Sequence, residues 1–214
     1  MATTATVLEV RTEQGPARVD LLAAADPVGA VLLGHGASGG VAARDLVTVS
    51  DVARSEGFSV ALAEQPYRVA GRRSPAPPPR LDAAWLAVVE RLRDRELKGL
   101  RLIAGGRSAG ARVACRTAAQ SGAVAVLCLA FPLRPPRRSP TGPSQTRQDE
   151  LDAVRVPTLV VQGAGDPFGK PSGGANITVV IVPGNHSLTT DLEAVGEAVR
   201  GWLSGEVRPL LERP

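Results

Sequence analysis

The sequence predicts an α/β protein: a mostly parallel sheet of about eight strands, with helices on both faces. Three observations carry this. Short apolar runs recur along the chain, "VGAVLLG", "FSVALAE", "LRLIAGG", "AVAVLCLA", "PTLVVQG" and "ITVVIVPG". They are too brief for helices and lack alternation, as expected of strands buried on both faces. Stretches with apolar residues at helical spacing separate most of them. Glycine-rich loops, "GHGASGG" and "GGRSAGA", follow two of the runs at once. Strand–helix alternation of this kind builds parallel pairs through right-handed crossovers.

Each element has its own signal. "TVLEV" and "ARVDLLA" flank a Gly15-Pro16 turn and read as an N-terminal hairpin. Val41, Leu46, Val49 and Val52 share one helical face, and Gly57 is a C-terminal cap. After "FSVALAE" comes an Arg/Pro loop, "QPYRVAGRRSPAPPPR", then a helix with Leu81, Trp85, Val88 and Leu92 on one side. A helix of small residues runs from Ser108 to about Gln120, and a second Arg/Pro loop, "FPLRPPRRSPTGPSQTRQDE", follows "AVAVLCLA". The last helix starts near Thr190, with Thr190 and Glu193 spaced as a capping box, and carries Leu192, Val195, Val199 and Trp202. There is no internal repeat and no second core, so residues 1–214 are expected to form one domain, with 131–150 as a flap in place of a large cap.

Composition narrows the class. A chain of 214 residues can bury a core without disulfides or metals. Aromatic residues are scarce, so Ala, Val and Leu must fill that core. The net charge is +4, but the cations are nearly all arginine, with Lys98 and Lys170 the two lysines. That bias accompanies GC-rich coding and does not itself identify an anionic partner. Few aromatics lie among the arginines, which argues against base stacking and nucleic-acid binding. Cys115 and Cys128 fit no metal spacing and read as reduced, buried hydrophobes of a cytoplasmic protein. "MATTATVLEV" lacks the features of a signal peptide, and no apolar run is long enough to span a membrane. No metal or organic cofactor is expected.

The chemistry centres on Gly106-Arg107-Ser108-Ala109-Gly110, a G-x-S-x-G sequence that ends a strand and opens a helix. Such a turn lifts the serine hydroxyl at the C-terminal edge of the sheet, where open α/β sheets bind ligands. A serine nucleophile needs a base. His186, in "PGNHSL", follows the last strand and hangs from the same edge. An imidazole base needs a carboxylate to orient it, and Asp166 in "QGAGDPFG" follows the penultimate strand. The backbone amides of Ala109, at the helix start, and of Ala37, in "GHGASGG", are candidate oxyanion donors. His35 reads as a brace of that loop. Candidate substrate contacts are Ser38, Arg107 and Arg134, with Arg137, Arg138, Arg68, Arg72 and Arg73 around the rim; for the rim arginines a solvated loop is the favoured reading and recognition of a carboxylate or phosphate the alternative, and for Ser38 a plain turn stands equally.

These pieces together resemble the α/β-hydrolases over nearly the whole chain. "GHGASGG", "GGRSAGARVA", "FPLRPP", "VQGAGDPFG" and "VPGNHSL" resemble a compact, capless branch of that family. The branch includes small bacterial dienelactone-hydrolase-like proteins, the hydrolase-like domain of a chromatin NSL-complex subunit and a testis-expressed protein. Dienelactone hydrolases use a cysteine nucleophile, whereas Ser108 holds that position here, so their substrate class does not transfer. The resemblance implies a serine hydrolase acting on a small ester or thioester, as a monomer or homodimer. An amidase or peptidase would share the same residues, and a binding or scaffold role on the same fold is the rival from another class.

Overall fold

The computed structural model describes residues 5–37, 39–135 and 146–212. Eight strands form one sheet: β1 (Thr6–Thr12), β2 (Gly15–Leu22), β3 (Gly29–Gly34), β4 (Phe58–Glu64), β5 (Leu102–Arg107), β6 (Ala125–Leu129), β7 (Thr158–Gly163) and β8 (Ile177–Val182). Their spatial order is β1-β2-β4-β3-β5-β6-β7-β8. The β1–β2 hairpin and the β2–β4 pair are antiparallel, and every other pair is parallel. The sequence expectation for the sheet therefore holds. β3 and β7 are buried along their full length, as their unbroken apolar runs require.

Two hydrophobic layers cover the sheet. Strand alternation divides the side chains: in β3, Ala30 and Leu32 face one layer, Val31 and Leu33 the other. The first layer holds α3 (Pro78–Asp94) and α4 (Ala109–Ser121), with Trp85, Val88, Leu92 and Val113 in its interior. The second holds α1 (Arg44–Ser55) and α6 (Leu192–Trp202), with Leu46, Val49, Val195 and Trp202. Helices on both faces leave the C-terminal edge of the parallel strands open to carry loops.

Several boundaries differ from the expectation. The helix after β3 begins at Arg44, so Val41 lies in the loop before it. Gly57 does follow α1, at φ +88°, with its N–H donated to the Arg54 carbonyl at 3.0 Å. The loop 65–80 is not wholly irregular: α2 (Pro66–Val69) lies within it, and α3 starts on Pro78 and Pro79, where a missing N–H removes no helical bond. The cap of α6 is Asp191, not Thr190. The Asp191 carboxylate accepts the Ala194 N–H at 2.9 Å. Leu192 is consequently only half-buried at the helix start. Beyond Trp202 the chain stays helical through a π turn (Leu203–Val207) and α7 (Arg208–Leu211), burying Leu203 and Val207.

Between β6 and β7, α5 (Gln148–Asp152) is the one helix among the described residues. The expected flap is only half within view. Phe131 and Leu133 are buried, and the Arg147 N–H donates to the Leu133 carbonyl at 2.8 Å, which joins the two ends of the segment. Residues 136–145, with Arg137 and Arg138, lie outside the described residues. Cys115 and Cys128 are free and buried, with sulfurs 3.4 Å apart. Among the described residues no helix is long and apolar enough to cross a membrane.

Candidate active site

Ser108 sits between β5 and α4 with φ 53° and ψ −106°. This is a sparsely populated conformation for a residue with a side chain, of the kind retained where the surroundings over-determine it. The surroundings here are specific. The Ser108 N–H donates to the Leu129 carbonyl of β6 at 2.9 Å, and the Ser108 carbonyl accepts the Arg112 N–H at 3.2 Å. The flanking glycines let the turn press against β3. A Cβ at Gly106 would lie 2.4 Å from the Gly34 carbonyl oxygen, and one at Gly110 would lie 2.3 Å from the same atom. The crowding of small residues around Ser108 thus has a packing cause: α4 crosses β3 with almost no gap.

His186 and Asp166 come from the loops after β8 and β7. The His186 Nε2 is 2.9 Å from Ser108 Oγ, and its Nδ1 is 2.8 Å from Asp166 Oδ2. The Asp166 side chain is fully enclosed. Its Oδ2 also accepts the Gln162 amide at 2.8 Å, and its Oδ1 accepts the Phe168 N–H at 2.8 Å. With a carboxylate at Nδ1, that nitrogen carries the ring proton of neutral His186, and Nε2 is the acceptor facing the serine. Phe168 packs edge-on against the imidazole, with ring centroids 4.5 Å apart. The sequence motifs do not point to Gln162 or Phe168. Gln162 has a signal: it directly follows the apolar run Leu159–Val161 inside a buried strand, four residues before Asp166.

The loop after β3 lies on the other side of the serine. A Cβ on Gly36 would be 3.6 Å from the Ser108 Cβ. His35 is buried and serves as the expected brace: Nδ1–H donates to the Gly36 carbonyl at 2.7 Å, and Nε2 accepts the Gln65 N–H at 3.0 Å. Burial lowers the pKa of His35, which keeps it neutral in that role. Tyr67 adds a second brace, its hydroxyl donating to the Ala37 carbonyl at 2.9 Å. Burial pushes the Tyr67 phenol up to about 12, so it remains a donor. Ala109 is the first residue of α4, and its N–H is among those a helix leaves without an internal acceptor. Ala37 and Ala109 therefore sit on the two backbone segments that border Ser108. Ser38 lies outside the described residues.

The two remaining candidates have different fates. Arg107 does not offer a free guanidinium to a ligand. Its Nε is 2.8 Å from Asp45 Oδ2 in α1, and Nη2–H donates to the His186 carbonyl at 2.9 Å. Arg134 is exposed, on a segment whose backbone bonds to the Phe168 carbonyl at 2.8 Å, and so borders the imidazole's neighbour. Arg72 and Arg73 are exposed in the other Arg/Pro loop. Among the described residues no cluster of three or more His, Cys, Asp or Glu could hold a metal.

A hydroxyl bonded to an imidazole that is itself bonded to a buried carboxylate can transfer a proton as the hydroxyl attacks a carbonyl. Comparison with known proteins agrees with the architecture. The chain is similar over its whole length to XC6422 from Xanthomonas campestris, described as an α/β serine hydrolase without a lid (19% identity, TM-score 0.76, 98% of that chain). It also resembles Est1E from Butyrivibrio proteoclasticus (17% identity, TM-score 0.74, 94% of this chain and 98% of that one). A dienelactone hydrolase from Anabaena variabilis aligns as well (18% identity, TM-score 0.72, 94% and 97% of the two chains). No curated protein matches the sequence. The family model of the alpha/beta hydrolase domain matches residues 27–193, a span from just before β3 to the first turn of α6 that takes in Ser108, Asp166 and His186, and the chain belongs to that family.

Proposed function

We propose that the protein is a serine hydrolase that cleaves a small carboxylic ester or thioester through an acyl-enzyme on Ser108. The observation that carries this is the unbroken chain Ser108–His186–Asp166, with bonds of 2.9 and 2.8 Å. Ser108 Oγ attacks the acyl carbon while its proton passes to His186 Nε2. Asp166 holds the resulting imidazolium through Nδ1. The amides of Ala109 and Ala37 receive the developing oxyanion, a contribution that elsewhere reaches about 3–4 kcal/mol per donor. Collapse of the tetrahedral adduct breaks the bond to the alcohol or thiol, which leaves with the proton from Nε2. Water then attacks the acyl carbon, giving a proton to His186 Nε2, which passes it to Ser108 Oγ as the acid is released.

Solved structures of similar fold support ester chemistry. XC6422 is described as a serine hydrolase, and Est1E has been captured with ferulic acid bound. Arg134 at the rim would face the acid portion of an anionic substrate. The test is intact mass after treatment with a fluorophosphonate, run beside Ser108→Ala, followed by turnover of p-nitrophenyl esters of increasing acyl length. One adduct on the wild type and none on the variant is the expected result. A folded wild type that takes no adduct and turns over no ester would overturn the proposal and favour a hydrolase fold used for binding.

A further inference from the structure

We propose that Arg107 is a positioning residue, whose guanidinium, paired with Asp45, holds the His186 loop in register with the Ser108 turn. The inference rests on the catalytic reading of Ser108, His186 and Asp166 given above. It starts from strand geometry. Arg107 ends β5 on the same face as Ile103, whose side chain joins the layer of α1 and α6. The side chain therefore leaves the sheet toward α1, and the residue that meets it is Asp45 in the first turn of that helix. Asp45 is 1% exposed. Burial pushes its carboxyl up, and the Arg107 charge opposes that shift. The pair has a reason to stay closed, since breaking it would strand a buried charge.

The rest of the guanidinium reaches two further strand ends. Nη2–H donates to the backbone carbonyl of His186 at 2.9 Å. Nη1 lies over the loop after β3: a Cβ on Gly36 would come within 2.7 Å of it. One planar group thus meets α1 and the loop that carries the base and lies beside the loop of the candidate oxyanion amides, and its residue adjoins Ser108 in the chain. His186 is held from two directions. Asp166 fixes the ring through Nδ1, and Arg107 fixes the peptide from which the ring hangs. Without the second anchor the loop can shift while the ring keeps its carboxylate, and the 2.9 Å approach of Nε2 to Ser108 is lost.

A lysine cannot replace the fork. It would keep a charge beside Asp45 but has no second nitrogen to reach the His186 carbonyl at the same time. With its side chain 16% exposed, its Nε beside Asp45 and one Nη2–H on the His186 carbonyl, Arg107 is directed into the protein.

The test compares Arg107→Ala, Arg107→Lys and Asp45→Asn with the wild type in hydrolysis of p-nitrophenyl acetate. Low-field proton spectra would follow the His186 Nδ1–H, assigned with His186→Asn. A misplaced base should lower kcat about 100-fold in Arg107→Ala and about tenfold in Arg107→Lys, with KM within about twofold. Added guanidinium should restore part of the alanine variant's rate, and its Nδ1–H signal should broaden or vanish. A rise in KM with kcat unchanged would mean a substrate contact and overturn the proposal. So would a kcat and an Nδ1–H signal that both match the wild type. If the alanine variant fails to fold, the lysine and asparagine variants decide by the same readings. A wild type that neither hydrolyses esters nor takes fluorophosphonate would sink the Ser108 reading, while the Nδ1–H signal would still judge Arg107.

Discussion

The protein holds two histidines, and both lie just beyond parallel strands at the same edge of the sheet. His35 follows β3 and His186 follows β8. Their surroundings differ in one decisive respect. Both ring nitrogens of His35 are taken by backbone, the Gly36 carbonyl and the Gln65 N–H, and the ring is buried. His186 has a carboxylate at Nδ1 and a serine hydroxyl at Nε2. A backbone N–H at Nε2 leaves a histidine nothing to exchange a proton with. A serine there, backed by a buried carboxylate, leaves it an exchangeable proton and a way to carry the charge. The residue type is shared, and the partner on the second nitrogen separates a brace from the proposed base.

That contrast can be broken in four ways. The largest effect belongs to His186→Gln, expected to lower ester turnover by about 10⁴-fold or more, because members of such a chain act as a unit. His35→Gln should leave the fluorophosphonate reaction at Ser108 intact, and equal losses in the two variants would collapse the distinction. Next is Gly110→Ala, which drives a methyl group into the Gly34 and His35 carbonyls that wall the first histidine loop. Its thermal unfolding should report a loss of about 3 kcal/mol.

Third, His35→Gln should cost about 2 kcal/mol in denaturant unfolding, since the half-buried Gln65 N–H loses its imidazole acceptor. The pH dependence has a definite sign. Burial holds the folded pKa of His35 below its ordinary 6.5, so the unfolded chain takes up the proton first. The stability His35 confers is complete above about 6.5 and is lost as the pH falls toward its lowered folded value. The glutamine variant should show a shallower acid decline between those limits. Fourth, Tyr67→Phe removes the hydroxyl bond to the Ala37 carbonyl and should cost about 1 kcal/mol. If Ala37 is an oxyanion donor, the same variant should also slow turnover a few-fold with little change in KM.

Much of this site was legible because its signals are local. The G-x-S-x-G turn needs small residues where α4 crosses β3, and those residues stand next to Ser108 in the chain. Asp166 and His186 each lie a few residues beyond an apolar run, so the strand pattern alone carried them to the right edge. The capping of α6 is ambiguous in the sequence for the opposite reason. Thr190 and Asp191 are both good caps, and the choice between them depends on how the loop after β8 arrives, which no short window contains. Arg107 is ambiguous likewise. Next to a nucleophile it looks like a ligand for an anion, and only the approach of α1 reveals Asp45 beneath it.

The sequence by itself determined the alternation of strands and helices, the sharp turn at Ser108 and the order serine, aspartate, histidine. Each follows from hydrophobic period or from steric limits acting over a few residues. Tertiary structure alone decided which nitrogen of which histidine meets which partner, that Gln162 and Phe168 hold Asp166, and that Arg107 turns inward to Asp45 and His186. These are contacts between segments far apart in the chain. Their distances are set by strand order and helix packing, and a hydrogen bond exists only when that packing closes to about 3 Å.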